Sequence, residues 1–181
     1  MKKTLLSVFA LTVAASLSAQ IYSEDFEGTS GTALPAGWTQ VTAATDGGYQ
    51  SSTDLTSTYF VFPAGTGSRY VGTNDDNCNC DKSNERLISD AIAIPGTGVH
   101  VLSFNYVLGE YYGEWGEIGI STDGGATHTV EQTLASTRDA GSDHLWSSAS
   151  VDLAAYAGQT INLVWIYDDN ADWGSGLVVD D

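Results

Sequence analysis

Between His100 and Leu108 the sequence alternates: Leu102, Phe104, Tyr106 and Leu108 fall on one face of an extended chain, and Val101, Ser103, Asn105 and Val107 on the other. A period of two is the mark of a strand, and no segment after residue 19 repeats at the ~3.6-residue period of an amphipathic helix. Short runs rich in β-branched and aromatic residues recur along the chain, separated by Gly, Asn and Asp. Strands are predicted at Ile21–Glu27, Tyr59–Pro63, Ser68–Gly72, Arg86–Ile94, His100–Leu108, Glu117–Thr122, Thr127–Leu134, Trp146–Leu153, Thr160–Tyr167 and Gly176–Asp181. Asp123-Gly124-Gly125 marks a hairpin, because both glycines tolerate positive φ. Short strands with tight turns predict an all-β antiparallel sandwich that buries one face of each sheet. No internal repeat or linker divides residues 20–181, which read as one domain.

Residues 1–19 read as a signal peptide. Lys2 and Lys3 form a basic start, Leu5 to Leu17 an apolar stretch, and Ser18-Ala19 a cleavage site, so a mature chain beginning near Gln20 is expected. This predicts a secreted or cell-surface protein with no membrane insertion after cleavage. Against 6 basic residues stand 23 acidic ones, a formal net charge of −17. Such a surface repels phosphate backbones and argues against nucleic acid as a partner, while it suits divalent cations and neutral ligands.

The carboxylates are clustered. If Asp25-Phe26-Glu27 is a strand, Phe26 faces the core and the two acids point together the other way. In Asn74 to Asp81, the oxygens of Asp75, Asn77, Asn79 and Asp81 recur at every second residue, as in calcium loops. The EF-hand pattern fails, since Cys80 stands where its glycine is required. Further acids occur at Asp168-Asp169-Asn170-Ala171-Asp172 and at Asp180-Asp181. A single cluster reads as a solvated turn; four, with few bases, imply a cation that relieves their repulsion. Ca²⁺ is therefore expected, with Asp25 and Glu27 meeting Asp180 or Asp181 as the terminal strands come together. Asn74, Asp75 and Asp76 are expected to close the same site, and Asp75 to Asp81 to take a second ion. For Cys78 and Cys80 a local disulfide ranks just ahead of free thiols, and metal ligation by sulfur well behind both.

Several stretches together resemble one family. They are Asp25-Phe26-Glu27 followed by Leu34-Pro35-Ala36-Gly37-Trp38, Asn74-Asp75-Asp76 through Cys80-Asp81-Lys82-Ser83 to Leu87-Ile88-Ser89, and Leu102 to Tyr106. Ser121 to Thr127, Val151-Asp152-Leu153 with Tyr156-Ala157-Gly158, Tyr167-Asp168-Asp169, and Gly176-Leu177 into Val179-Asp180-Asp181 complete the set. The pattern resembles cleaved-adhesin or choice-of-anchor J domains, jelly-roll sandwiches related to MAM domains and to the adhesin modules of gingipain proteases. The resemblance implies a calcium-stabilised jelly roll on an exported protein, serving adhesion or accompanying a catalytic domain, often with type IX secretion. Two departures stand out. His128 occupies a position where the family usually has Trp, and Asp181 falls inside the expected last strand, so other domains of a parent chain are expected partners.

Enzyme patterns are weak. There is no G-x-S-x-G and no H-E-x-x-H, and Ser121 to Thr127 offers only one copy of an Asp-box-like hairpin. Glu114 and Glu117 beside Trp115 could flank a glycosidic bond, yet their plainest reading is an acidic loop next to a core Trp. A sugar-stacking platform of Tyr111, Tyr112, Trp115 and Trp173 comes second. The sequence thus predicts a non-catalytic module that binds an extracellular glycan or protein, with a glycoside hydrolase or an accessory fragment of an exported protease as the alternative.

Overall fold

The computed structural model describes residues 20–61, 69–78, 80–110, 112–138 and 144–181. Eleven strands, one short α-helix and one 3-10 turn follow in chain order among the described residues: β1 Thr39–Val41, β2 Gln50–Ser52, β3 Tyr70–Asn74, α1 Asp75–Cys78, β4 Glu85–Ile88, β5 Ile92–Ala93, β6 Val101–Leu108, β7 Trp115–Ser121, β8 Thr129–Thr133, β9 Ser147–Asp152, the 3-10 turn Ala154–Tyr156, β10 Thr160–Asp168 and β11 Gly176–Asp180. They form two antiparallel sheets, one ordered β1-β4-β10-β7-β8 with β5 on β10, the other β2-β3-β11-β6-β9. The expected all-β jelly-roll sandwich is the fold.

The central strands explain the apolar runs. In β10, Ile161, Leu163, Trp165 and Tyr167 face the core between the sheets, while Val164 and Ile166 pack with Ile88 on the outer side. In β11, Leu177 and Val179 face the core, and Val178 meets Leu55, Phe60, Tyr70 and Val107 outside. Both strands are therefore buried on both faces. The sheets are joined by aromatic contacts. Trp38 stacks on Trp165 at 5.5 Å and 13°, and Phe104 of β6 meets Trp165 edge-on at 5.6 Å. Phe26 closes the column against Trp38 at 5.4 Å. The predicted Leu102–Leu108 face does point inward.

Some predicted strands are not strands. Ile21–Glu27 is irregular because its acids bind nearby amides: Glu24 Oε1 accepts the Phe26 N–H (2.8 Å) and Asp25 Oδ1 the Glu27 N–H (3.1 Å), which turns the chain. Phe26 is buried as expected, but with φ 58°. Tyr59 to Val61 is a loop, with Ser57 N–H donating to the Phe60 carbonyl, and residues 62–68 lie outside the described residues. Arg86–Ile94 is interrupted at Ser89, whose Oγ accepts the Leu163 N–H (2.9 Å) and whose N–H donates to the Leu163 carbonyl (3.0 Å). The predicted signal peptide also lies outside the described residues. The Asp123-Gly124-Gly125 hairpin forms: Asp123 accepts from the Ser121 hydroxyl (2.8 Å) and the Thr127 N–H (2.9 Å), with φ 78° and 87° at the glycines. His128 lies half-buried against Gly119.

Phe104→Ala is expected to cost about 3–5 kcal/mol by opening a cavity between the sheets. A urea midpoint unchanged from the parent protein would remove the aromatic column from its joining role.

Candidate functional site

One end of the sandwich collects the loop after β1, the segment from α1 to β4, the β6–β7 loop and the β10–β11 loop. Strand register puts them there: Asp168 pairs with Trp115, Tyr167 with Glu85, and Gly176 with Asn74. Four carboxylates are buried at this end, Asp75, Glu85, Glu114 and Asp169, with Lys82 as their buried cation. Backbone amides supply most of the compensation. Asp75 Oδ2 accepts the Gly174 N–H (2.6 Å), and the Asp75 N–H donates to the Ser175 carbonyl (2.9 Å). Glu114 accepts the N–H groups of Tyr112 (2.8 Å) and Ser175 (3.0 Å). Asp169 accepts the Lys82 N–H (2.9 Å), the Ser83 hydroxyl (3.0 Å) and the Ala171 N–H (3.0 Å). Lys82 Nζ reaches both oxygens of Asp46 at 2.9 Å. Glu85 accepts from the Thr42 hydroxyl. These bonds tie each loop to its neighbour.

The Tyr167 hydroxyl is buried with no hydrogen-bond partner among the described residues. Burial and the nearby Asp75, Glu114 and Asp169 push its pKa well up. Gly174 allows this crowding, since a Cβ there would stand 2.2 Å from Tyr167 Oη and 2.9 Å from Asp75 Oδ2. Beside them, Asp75, Asp81, Ser83, Asp169, Asp172 and Trp173 line an open pocket of about 430 Å³.

The metal residues named from sequence divide between two ends. Asp180 lies opposite Asn105, and Asn74 opposite Gly176, so they sit at opposite ends of β11. This corrects the expectation that Asn74, Asp75 and Asp76 close a site with the chain termini. Glu27 does approach the terminal end: its Oε1 accepts the N–H of Arg69 (2.8 Å), which leads into β3 beside β11. Asp181 Oδ2 accepts from Asn105 Nδ2 (3.3 Å), and buried Asp180 accepts the Asp181 N–H (3.0 Å). Asp25 remains exposed. Asn79 lies outside the described residues, and the alternating oxygens of Asp75, Asn77 and Asp81 do not line one extended loop, because Asp75–Cys78 is helical. Asp75 turns inward to Gly174, Asn77 outward, Asp76 accepts the Tyr59 N–H (3.1 Å) and Asp81 the Ser83 N–H (2.9 Å). Asn74 accepts the Asn77 N–H (3.0 Å). Among the described residues the one group of three Asp, Glu, His or Cys ligand atoms within 4.8 Å is Asp46, Cys78 and Cys80. Its two sulfurs are joined in a disulfide and are not thiolate ligands.

Of the aromatic residues singled out from sequence, Tyr112 is 53% exposed, Trp115 36% and Trp173 53%. Tyr111 lies outside the described residues. Tyr112 and Trp115 flank Glu114, whose bond to Ser175 holds their loop to the one carrying Trp173. Tyr59, 76% exposed, joins this end through Asp76. Sequence reasoning passed over Tyr59 and the anchoring roles of Glu114 and Asp169; the Asp-Asp-Asn-x-Asp run was the visible signal for the last. As a catalytic pair, Glu114 and Glu117 are poorly placed. Both oxygens of Glu114 hold backbone amides, and Glu117 lies within β7 beside Thr133. His100 bonds the Thr97 carbonyl (3.0 Å), and buried His144 packs edge-on against Phe60 at 5.0 Å, both structural placements.

No family model matches the sequence, and no curated protein does. Solved structures do match. The K2 cleaved adhesin domain of Lys-gingipain is 21% identical with TM-score 0.58, over 88% of this chain and 94% of that one. The K1 cleaved adhesin domain of Lys-gingipain from Porphyromonas gingivalis W83 is 16% identical with TM-score 0.59, over 81% and 89%. TmCBM61 in complex with β-1,4-galactotriose is 16% identical with TM-score 0.53, over 81% and 86%. The chain therefore has a cleaved-adhesin-like fold. Among its described residues no helix is long and apolar enough to cross a membrane.

Burial raises the pKa of Asp75 from 3.8 to about 6; the Gly174 N–H and Lys82 oppose the shift, while Asp169 and Glu114 add to it. The native state thus favours the protonated acid. Its contribution to stability is complete below pH 3.8 and is lost as pH rises through about 6. In metal-free protein the urea midpoint is expected to fall across that window, and Asp75→Asn to flatten the fall. An equal slope in Asp75→Asn would assign it to other groups.

Proposed function

We infer that this chain is a secreted or cell-surface, non-catalytic module that binds an extracellular glycan or protein through the Tyr112, Trp115 and Trp173 end. The observation that carries this reading is three exposed rings, Tyr112 and Trp173 on loops and Trp115 at the start of β7, with those loops fastened by buried carboxylate–amide bonds. Aromatic faces suit the C–H faces of pyranose rings, and a platform anchored beforehand loses little entropy on binding. Tyr111, adjacent to Tyr112 in sequence, is included in the proposed surface. The shared fold with adhesin domains and with a galactotriose-bound module supports the same class of activity. The occupied oxygens of Glu114 weigh against the hydrolase alternative. A glycan array should give a ligand whose affinity falls at least about tenfold in Trp115→Ala and in Trp173→Ala. Full affinity in both variants, with native melting curves, would place binding elsewhere.

Calcium is part of this reading. The donors are hard oxygens, rich in carboxylate and poorly matched by cations, which is Ca²⁺ chemistry. Asp25, Glu27, Asp180 and Asp181 form one proposed set at the chain ends. Asp75 and Asp81, joined now by Asp169 and Asp172 around the pocket, form the second; Asn74 and Asp76 serve as its flanking supports. An ion that binds only the folded chain stabilises it by about 2.7 kcal/mol at 100-fold excess over Kd. EGTA is expected to lower the melting temperature, and Glu27→Ala to remove most of that sensitivity. Identical melting with and without calcium, starting from metal-free protein, would dismiss a stabilising ion.

A further inference from the structure

Lys82 is the buried cation of the acidic end. Its side chain is 0% exposed, and that of Asp46, the carboxylate it pairs with, is 33% exposed. Lys82 Nζ stands 2.9 Å from both Asp46 oxygens. Two equal contacts of that length put Nζ about 3 Å from Asp46 Cγ, the separation at which reacting atoms stand before attack. Both groups are fixed from behind. The Lys82 N–H donates to Asp169 Oδ2 (2.9 Å), and Asp46 opens a turn with φ 95° at Gly47 and 72° at Gly48. The Gly48 N–H donates to Asp46 Oδ1 (3.0 Å). Glu85 lies beside this pair and is fully buried. Its Oε1 accepts from the Thr42 hydroxyl, while its Oε2 has no hydrogen-bond partner among the described residues. Oε2 faces the same turn, since a Cβ on Gly48 would stand 2.6 Å from it. The charges of Lys82 and Asp46 both act on Glu85.

We propose that Lys82 and Asp46 condense into an intramolecular amide, a covalent cross-link between the loop after β1 and the segment leading into β4, with Glu85 relaying the protons. An ammonium buried this deeply keeps a desolvation cost that one partly exposed carboxylate repays only in part, and an amide removes both charges. Lys82 first gives a proton through Glu85 to Asp46 Oδ2, which leaves a neutral amine and a neutral acid. The Asp46 carboxyl turns about χ2, a soft torsion, to present its face to the amine. The Nζ electron pair attacks Cγ, and the C–O π pair moves onto Oδ1, where the Gly48 N–H stabilises it. A second proton passes from Nζ through Glu85 to Oδ2. The Cγ–Oδ2 bond then breaks, and water leaves on the exposed side of Asp46. Nζ keeps one hydrogen, Glu85 ends as it began, and no co-reactant is consumed. The cross-link does not depend on what the aromatic rings bind.

The test is the intact mass of the full folded chain, taken after reduction of the Cys78–Cys80 disulfide. It should be one water lighter than the sequence, from the N-terminus found, requires. Digestion should give a branched peptide that joins the Asp46 segment to the Lys82 segment. Lys82→Arg keeps a cation and should restore the full mass. Glu85→Gln keeps the buried shape and should lower the cross-linked fraction at least about tenfold in protein with a native circular dichroism spectrum. A Glu85 with only a structural role would leave that fraction unchanged in the folded variant. A parent chain with its full mass would overturn the proposal, whether or not the variants fold. A water loss that persists in Lys82→Arg would also overturn it, since that loss belongs to a succinimide of Asp46 and Gly47. An undiminished cross-link in folded Glu85→Gln would overturn the relay.

Discussion

The contact of Trp165 with Trp38 on one side and Phe104 on the other holds the two sheets in register. Trp165 comes from the central strand of one sheet and Phe104 from β6, beside the edge strand β9 of the other, while Trp38 precedes the first strand and carries Phe26 with it. Three separate parts of the chain thus converge on one aromatic column. Large rings bury much apolar area with few rotatable bonds, which suits a small sandwich whose strands are short. Because β10 and β11 are buried on both faces, the loops at their ends start from rigid supports, and the aromatic end inherits that rigidity.

The charge balance creates a second constraint. With so few basic residues, the interior cannot neutralise its acids by ion pairs, and Lys82 with Asp46 is the single pair formed among the described residues. Backbone N–H groups take over. Asp75, Glu114 and Asp169 each accept one or more loop amides, so the carboxylates act as fasteners between loops that have no regular ladder. Such bonds favour the charged acid while desolvation opposes it, and at Asp75 desolvation prevails. An end built this way is rigid and retains negative charge beside exposed rings, a combination fitted to cations and neutral ligands.

Much of the sandwich was legible from local pattern. The His100–Leu108 alternation, the Asp123-Gly124-Gly125 hairpin and the runs of β9, β10 and β11 reflect side-chain period and turn chemistry, which depend on near neighbours. Ile21–Glu27 misled because competing side-chain acceptors are local too, but period two does not register them. β1 and β2 went unseen because each has only three residues, and their strand state comes from pairing with β4 and β3. The aromatic residues at the loop end were identifiable as a set; their exposure followed only from the fold.

The sequence by itself determined the class of fold, the inward face of β6, the hairpin turn and the excess of acid over base, since each is a property of composition or of residues close in the chain. Tertiary structure decided which carboxylates meet. Asp75 and Asp169 are far apart in sequence yet line one pocket, whereas Asn74 and Asp180 border the same short strand and stand at its opposite ends. It also decided that Glu114 holds loops. Those outcomes depend on strand register and sheet order, which are set by long-range pairing and core packing that no local pattern encodes.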